Sequence, residues 1–213
     1  MVCASQPGLL YPLNLGDEVN FRLTYDGPLK AASQSDTRRL EKHAIRRVFN
    51  KQLWALYDSR DGAAFLDAEF KSLGEAEFPR IARGPFRFVA LVREKLNLVC
   101  DLDILFLRRE NPGQLIVGGG DLDNRIKVLF DALRIPQDEN EIRGLSPQDD
   151  DEHLTFICLT EDDKLITGFR LTTDRLLEPA SSEAAQNDVR LIINVEVKAT
   201  NLTPENMAYF SHF

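Results

Sequence analysis

The chain has 213 residues, 43% of them hydrophobic and 28% charged, with a formal net charge of −8 at pH 7. Such proportions are ordinary for a soluble globular protein with a real core, and the acidic balance argues against a protein that coats duplex DNA indiscriminately. Three scattered cysteines (Cys3, Cys100 and Cys158) exclude a disulfide framework, and no apolar run reaches the roughly 20 residues of a membrane-spanning helix.

No signal peptide is visible at the N-terminus, so a reduced, cytoplasmic setting with no membrane partner is expected. His43, His153 and His212 form no local cluster. Charge is uneven along the chain: residues 1–110 carry a balance of +2 and residues 111–213 a balance of −10.

In chain order, Glu18 to Tyr25 is strand-like and Asp26-Gly27-Pro28 ends it. Thr37 to Tyr57 is predicted helical, with Leu40, Ala44, Val48 and Leu53 near one face. Arg39, Lys42 and Arg46, with Arg38 and Arg47 beside them, form a basic stripe on another face. Such a stripe suits phosphates but more often is the solvated side of a helix. Residues 58–85 lack clear periodicity and read as loops with a short helix. Phe86 to Val92 and Leu96 to Leu107 read as two strands of a hairpin around Arg93-Glu94-Lys95. Asp101 and Asp103 in the second strand share a face, and a polar sheet face is the expected reading.

The most informative stretch follows. Gly118, Gly119 and Gly120 run into Asp121, Leu122, Asp123, Asn124, Arg125, Ile126 and Lys127. Ile126, Leu129, Phe130 and Leu133 recur at helical spacing, while Asp123, Lys127 and Asp131 line one side. One aspartate at a helix start is often a cap and nothing more. Capping explains neither the second aspartate nor the lysine. Closely grouped carboxylates repel unless a cation lies between them, and magnesium favours carboxylate oxygens plus water.

Beyond the helix lie the acidic run Asp149 to Glu152, strands over Leu154 to Leu159, Leu165 to Leu171 and Leu191 to Val197, and a loop over Leu176 to Asp188. A tail is expected after residue 200, whose Met207, Tyr209, Phe210 and Phe213 could dock on the sheet or on a partner. Strands outnumber helices, so the expected class is α+β: one domain over 1–213, a mostly antiparallel or mixed sheet with helices packed on it.

The run Asp121-x-Asp123-Asn124-x-x-Lys127-x-x-x-Asp131-Ala132-Leu133 resembles the signature of the RusA-type Holliday-junction resolvases. These are small magnesium-dependent endonucleases that act as dimers on branched DNA. In that family two adjacent aspartates precede a strand, and Glu161-Asp162-Asp163-Lys164-Leu165-Ile166 is similar to that element. The match covers roughly the middle third of the chain. It implies a RusA-like fold, a homodimer, and Mg2+ (with Mn2+ able to substitute) held by Asp121, Asp123 and Asp163 with Asp162 beside them. It further implies that Lys127 is the catalytic lysine and that Asn124 holds the aspartates in place. Arg39, Lys42, Arg46 and Arg125 are weaker candidates for DNA contact. The family's link between its two acidic elements is short, whereas here an acidic insertion of about 28 residues, around 134–161, intervenes. Asp149 to Glu152 is thus a rival for the second element; Asp162 and Asp163 are preferred because a β-like run follows at once. The alternatives are a non-catalytic module of the same fold that binds nucleic acid or protein, and a hydrolase of small phosphate esters.

Overall fold

A computed structural model describes residues 18–30, 35–58, 80–109, 122–147, 155–178, 188–204 and 206. Among the described residues there are seven strands and two α-helices: β1 (Glu18–Pro28), α1 (Ser35–Asp58), β2 (Ile81–Arg83), β3 (Phe86–Val92), β4 (Leu98–Arg108), α2 (Leu122–Leu133), β5 (Thr155–Thr160), β6 (Ile166–Arg175) and β7 (Asp188–Ala199). They form an α+β fold with two mixed sheets. The larger has strand order β1-β7-β4-β6 and the smaller β2-β3-β5. The β4/β6 and β3/β5 pairs are parallel; β1/β7, β7/β4 and β2/β3 are antiparallel.

The expected hairpin between the Phe86 and Leu96 runs does not form. β3 and β4 belong to different sheets, joined through a 3-10 turn at Glu94–Leu96 and a left-handed Asn97 (φ 54°). Their burial patterns give the reason. β4 alternates, with Leu98, Cys100, Leu102, Ile104 and Phe106 buried and the residues between them at least partly open, as one strand of a sheet with one covered face. β3 is buried on both faces from Phe88 to Val92. Val89 and Leu91 enter the main core, whereas Phe86, Phe88 and Ala90 enter a second, smaller core.

The segment 134–161, which separates the two acidic elements, contributes to that second core. Ile135, Ile142, Phe156 and Cys158 all come from this segment and pack on Phe86 and Phe88. The segment also supplies β5, which the apolar run Leu154 to Leu159 had predicted.

The face of α1 is also corrected. Leu40 and Val48, expected inside, are 61% and 38% exposed. The buried face is His43, Ile45, Arg46, Phe49, Asn50 and Leu53, of which three are polar. Those polar groups answer the backbone of the sheets. The Asn50 carboxamide oxygen accepts from the Ile157 N–H of β5 at 2.7 Å, and Trp54 Nε1 donates to the Thr155 carbonyl at 3.2 Å. Gln52 accepts from the Thr24 N–H of β1 at 2.8 Å and donates to the Thr24 carbonyl at 2.7 Å. One helix thereby closes an edge of each sheet, where unpaired backbone groups would otherwise lie.

Asn50→Ala should leave the buried Ile157 N–H without its acceptor and cost about 1–3 kcal/mol. Urea denaturation of the variant against wild type checks this, and an unchanged midpoint would contradict it.

Candidate functional site

α2 forms where its apolar residues predict, with Ile126, Leu129 and Leu133 buried and Phe130 partly so. Its first turns present Asp123, Asn124 and Lys127 to solvent. Asp121 and the run Asp149 to Glu152 lie outside the described residues.

The far end of α2 is fastened by charge. Asp131, buried, pairs with Lys42 of α1 at 2.6 Å and with Arg134 at 2.8 Å. Arg134 also binds Glu141 at 2.9 Å, in the 3-10 turn Glu139–Ile142. Arg46, fully buried, donates through Nη2 to the Asp131 carbonyl at 2.7 Å. A cation suits that position, because the carbonyls of a helix's last turn carry partial negative charge. Burial pushes the Arg46 guanidinium down, and burial pushes the neighbouring Cys158 thiol up to about 11, so this thiol is an inert packing group.

These contacts correct the expected reading of the stripe as the solvated side of a helix. Arg46 is inside the protein and Lys42 is paired with Asp131. Arg125 is also buried, and Arg39 is half-buried. The stripe recurs at the same spacing as Phe49 and Leu53 because it belongs to the same inward face.

From Asp131 the chain is tied to the second acidic element. Arg134 forms a parallel bridge with Thr160 at the end of β5, and the Ile135 N–H donates to the Thr160 carbonyl at 3.0 Å. The Glu161 N–H then donates to the Val92 carbonyl of β3 at 3.0 Å. Asp162 and Asp163 follow at once, on a 3-10 turn (Asp163–Leu165) that packs against α2. Asp162 accepts from the Lys164 N–H at 3.0 Å and caps the turn. That backbone hydrogen bond is the main reason its carboxyl is held below the ordinary aspartate range. Asp163 moves the other way. Burial pushes its pKa up, as do its hydrogen bond with Asp162 and the negative charges of Asp162 and Asp131, against the opposing pull of Arg134.

The structure therefore brings Asp162 and Asp163 beside Asp131 and Arg134, with Asp123, Asn124 and Lys127 on the earlier turns of the same helix. Carboxylates are the donors a divalent cation favours, but the described Asp123, Asp162 and Asp163 do not form a group of three placed to hold one. Among the described residues no group of three or more His, Cys, Asp or Glu side chains could hold a metal ion, and Asp121 is not among those residues. Sequence reasoning missed Arg134 and Glu141. It had Asp131 in the motif but assigned it no role. The signal was the i, i+3 pair Asp131–Arg134, which pattern alone cannot separate from a surface ion pair.

The rival pair on β4 has a different role. Asp101 accepts from Thr167 at 2.8 Å and pairs with Lys198 at 3.1 Å, and Asp103 is exposed, so the two lie on a polar sheet face as expected. A Cβ on Gly168 would stand 3.0 Å from Asp101 Oδ1, so glycine gives this carboxylate its room.

No family model, curated protein or solved structure matches the chain. Among the described residues no helix is long and apolar enough to cross a membrane.

Burial alone would raise the Asp131 pKa, but Lys42 and Arg134 reverse the direction and hold it below the ordinary value. A lowered folded-state pKa stabilises above the unfolded value of about 4, and that contribution is lost as pH falls through the folded value. Asp131→Asn should therefore cost about 3 kcal/mol at pH 7, since it strands buried cations. The gap from wild type should narrow as pH drops below about 4. Denaturant titrations at pH 7, 5 and 3 measure this, and a constant gap would refute the assignment.

Proposed function

We propose that this protein is a magnesium-dependent endonuclease acting on branched DNA, of the kind its central motif resembles. One observation carries the reading. The turn that bears Asp162 and Asp163 packs on the helix whose first turns expose Asp123, Asn124 and Lys127, so two acidic elements distant in sequence occupy adjoining elements. Asp121, Asp123 and Asp163, with Asp162 beside them, are the proposed magnesium carboxylates. A bound magnesium ion polarises a phosphate and lowers the pKa of a water.

The protein's own groups do the rest. Lys127 is exposed, and it aims a positive charge at the non-bridging oxygens where negative charge builds in phosphodiester hydrolysis. Asn124, next to Asp123 and also exposed, is the proposed positioning residue for the carboxylates, through its amide. Burial, with the hydrogen bond and charge of Asp162, raises the Asp163 pKa above the ordinary aspartate range, and a cation at this carboxylate would relieve the same crowding that favours its proton. The proposed setting is cytoplasmic, and the proposed assembly is a homodimer, because two incisions in a junction call for two sites related by symmetry.

A second reading has an observation of its own. Lys42, Arg46 and Arg125 are turned inward, which leaves fewer cations for phosphates in a chain of net charge −8. This favours a module of the same fold that binds nucleic acid or protein without cutting.

Asp123→Asn keeps the shape of an exposed side chain, so stability should move by no more than about 0.5 kcal/mol. Magnesium-dependent cutting of a four-way junction should fall by several orders of magnitude, with binding retained or tighter. Lys127→Ala should slow cutting and disturb metal binding less. Assays on a junction, a flap and a plain duplex, with and without chelator, decide between the readings. Binding without any cutting by wild type selects the non-catalytic module.

Light scattering at micromolar concentration should give the mass of two chains. A monomer both alone and with junction DNA would remove the paired-incision scheme.

A further inference from the structure

We propose that Phe169, braced by Phe130, is a stacking platform for a nucleobase that has left the helical stack, and so a source of selectivity for branched or single-stranded DNA. The inference rests on the nucleic-acid reading above and extends it to the kind of DNA recognised. Phe169 is 55% exposed, and it is the one aromatic among the exposed large hydrophobics of the described residues; Leu40, Val48, Leu177 and Leu202 are aliphatic. It stands in β6, six residues after Asp163. Its ring meets that of Phe130 at 5.3 Å between centroids and 87° between planes. In either sense of such a T-shaped pair, Phe130 covers at most one face of the Phe169 ring. Phe130 is one turn beyond Lys127 and two turns beyond Asp123, at the i, i+4, i+7 spacing of a single helix side. The aromatic platform is therefore continuous with the proposed site.

Charge agrees with a phosphate-bearing occupant. Lys127, on this side of α2, is exposed. A paired base inside a duplex is stacked above and below and presents only its edges in the grooves. A flat aromatic face can serve only a base that is out of the stack, as at a branch point, a flap or a single strand. A ring already held by a neighbour loses little freedom when a base settles on it.

The test is equilibrium binding in EDTA, where cutting plays no part. The probes are a synthetic four-way junction, an oligothymidine and a plain duplex. Phe169→Ala and Phe169→Leu should weaken junction and oligothymidine binding about five- to tenfold and leave duplex binding within about twofold. Phe169→Trp should retain or improve it. Leucine keeps the apolar bulk without the flat π face, and it also guards against a folding defect in the alanine variant. Wild-type affinity of the leucine variant, or an equal loss on duplex, overturns the proposal; a wild type that binds neither junction nor oligothymidine overturns it as well. A wild type that binds through Phe169 but never cuts removes the endonuclease reading and leaves the platform standing. Cutting and binding by Phe169→Leu at wild-type levels does the reverse.

Discussion

The rest of the structure depends on the buried charge cluster around Asp131. One carboxylate receives Lys42 from α1 and Arg134 from the end of its own helix, while Arg46 takes the carbonyl of the same residue. Arg134 extends the cluster to Glu141 and, through its backbone, to the last residue of β5. Charges this far from water are tolerated only when each has partners, so the elements that bring them are held to one arrangement. Both helices, the 3-10 turn at Glu139–Ile142 and the smaller sheet all meet at this point. The acidic turn at Asp162 and Asp163 begins two residues past Thr160, so its position follows from the same cluster.

The second constraint is the backbone of the sheet edges. β1 and β5 each end a sheet, and each has one edge served by side chains of α1. A helix that must offer Asn50, Gln52 and Trp54 to two strands cannot also turn its most apolar stripe inward along its whole length. This accounts for Leu40 and Val48 standing in solvent while His43 and Asn50 are buried. His43 has its place between Phe86 and Phe156, with ring centroids at 4.8 and 5.3 Å. Polar residues therefore orient the helix, and Ile45, Phe49 and Leu53 fill the space it encloses.

At the candidate site the two acidic elements differ in what supports them. Asp123 sits on an exposed first turn. Asp162 is engaged by its own backbone turn, and Asp163 lies within the field of Asp162, Asp131 and Arg134. Arg134 is a positive neighbour of Asp163. Its charge is shared between Asp131 and Glu141, which moderates its effect on Asp163.

The sequence by itself determined the class of the fold, the position of α2 and most of the strands, because apolar periodicity reports burial one element at a time. It also marked Asp123, Asn124 and Lys127, whose spacing on one helix is local information. Only the tertiary structure decided that β3 and β4 part into two sheets, since a strand buried on both faces and a strand buried on one can look alike over seven residues. Only the tertiary structure turned the stripe of Lys42 and Arg46 inward, because the partner that makes such burial possible, Asp131, is some 85–90 residues away along the chain. In the segment 134–161 the apolar run Leu154 to Leu159 announced β5, but that Ile135, Ile142, Phe156 and Cys158 form a core with Phe86 and Phe88 was decided by tertiary packing.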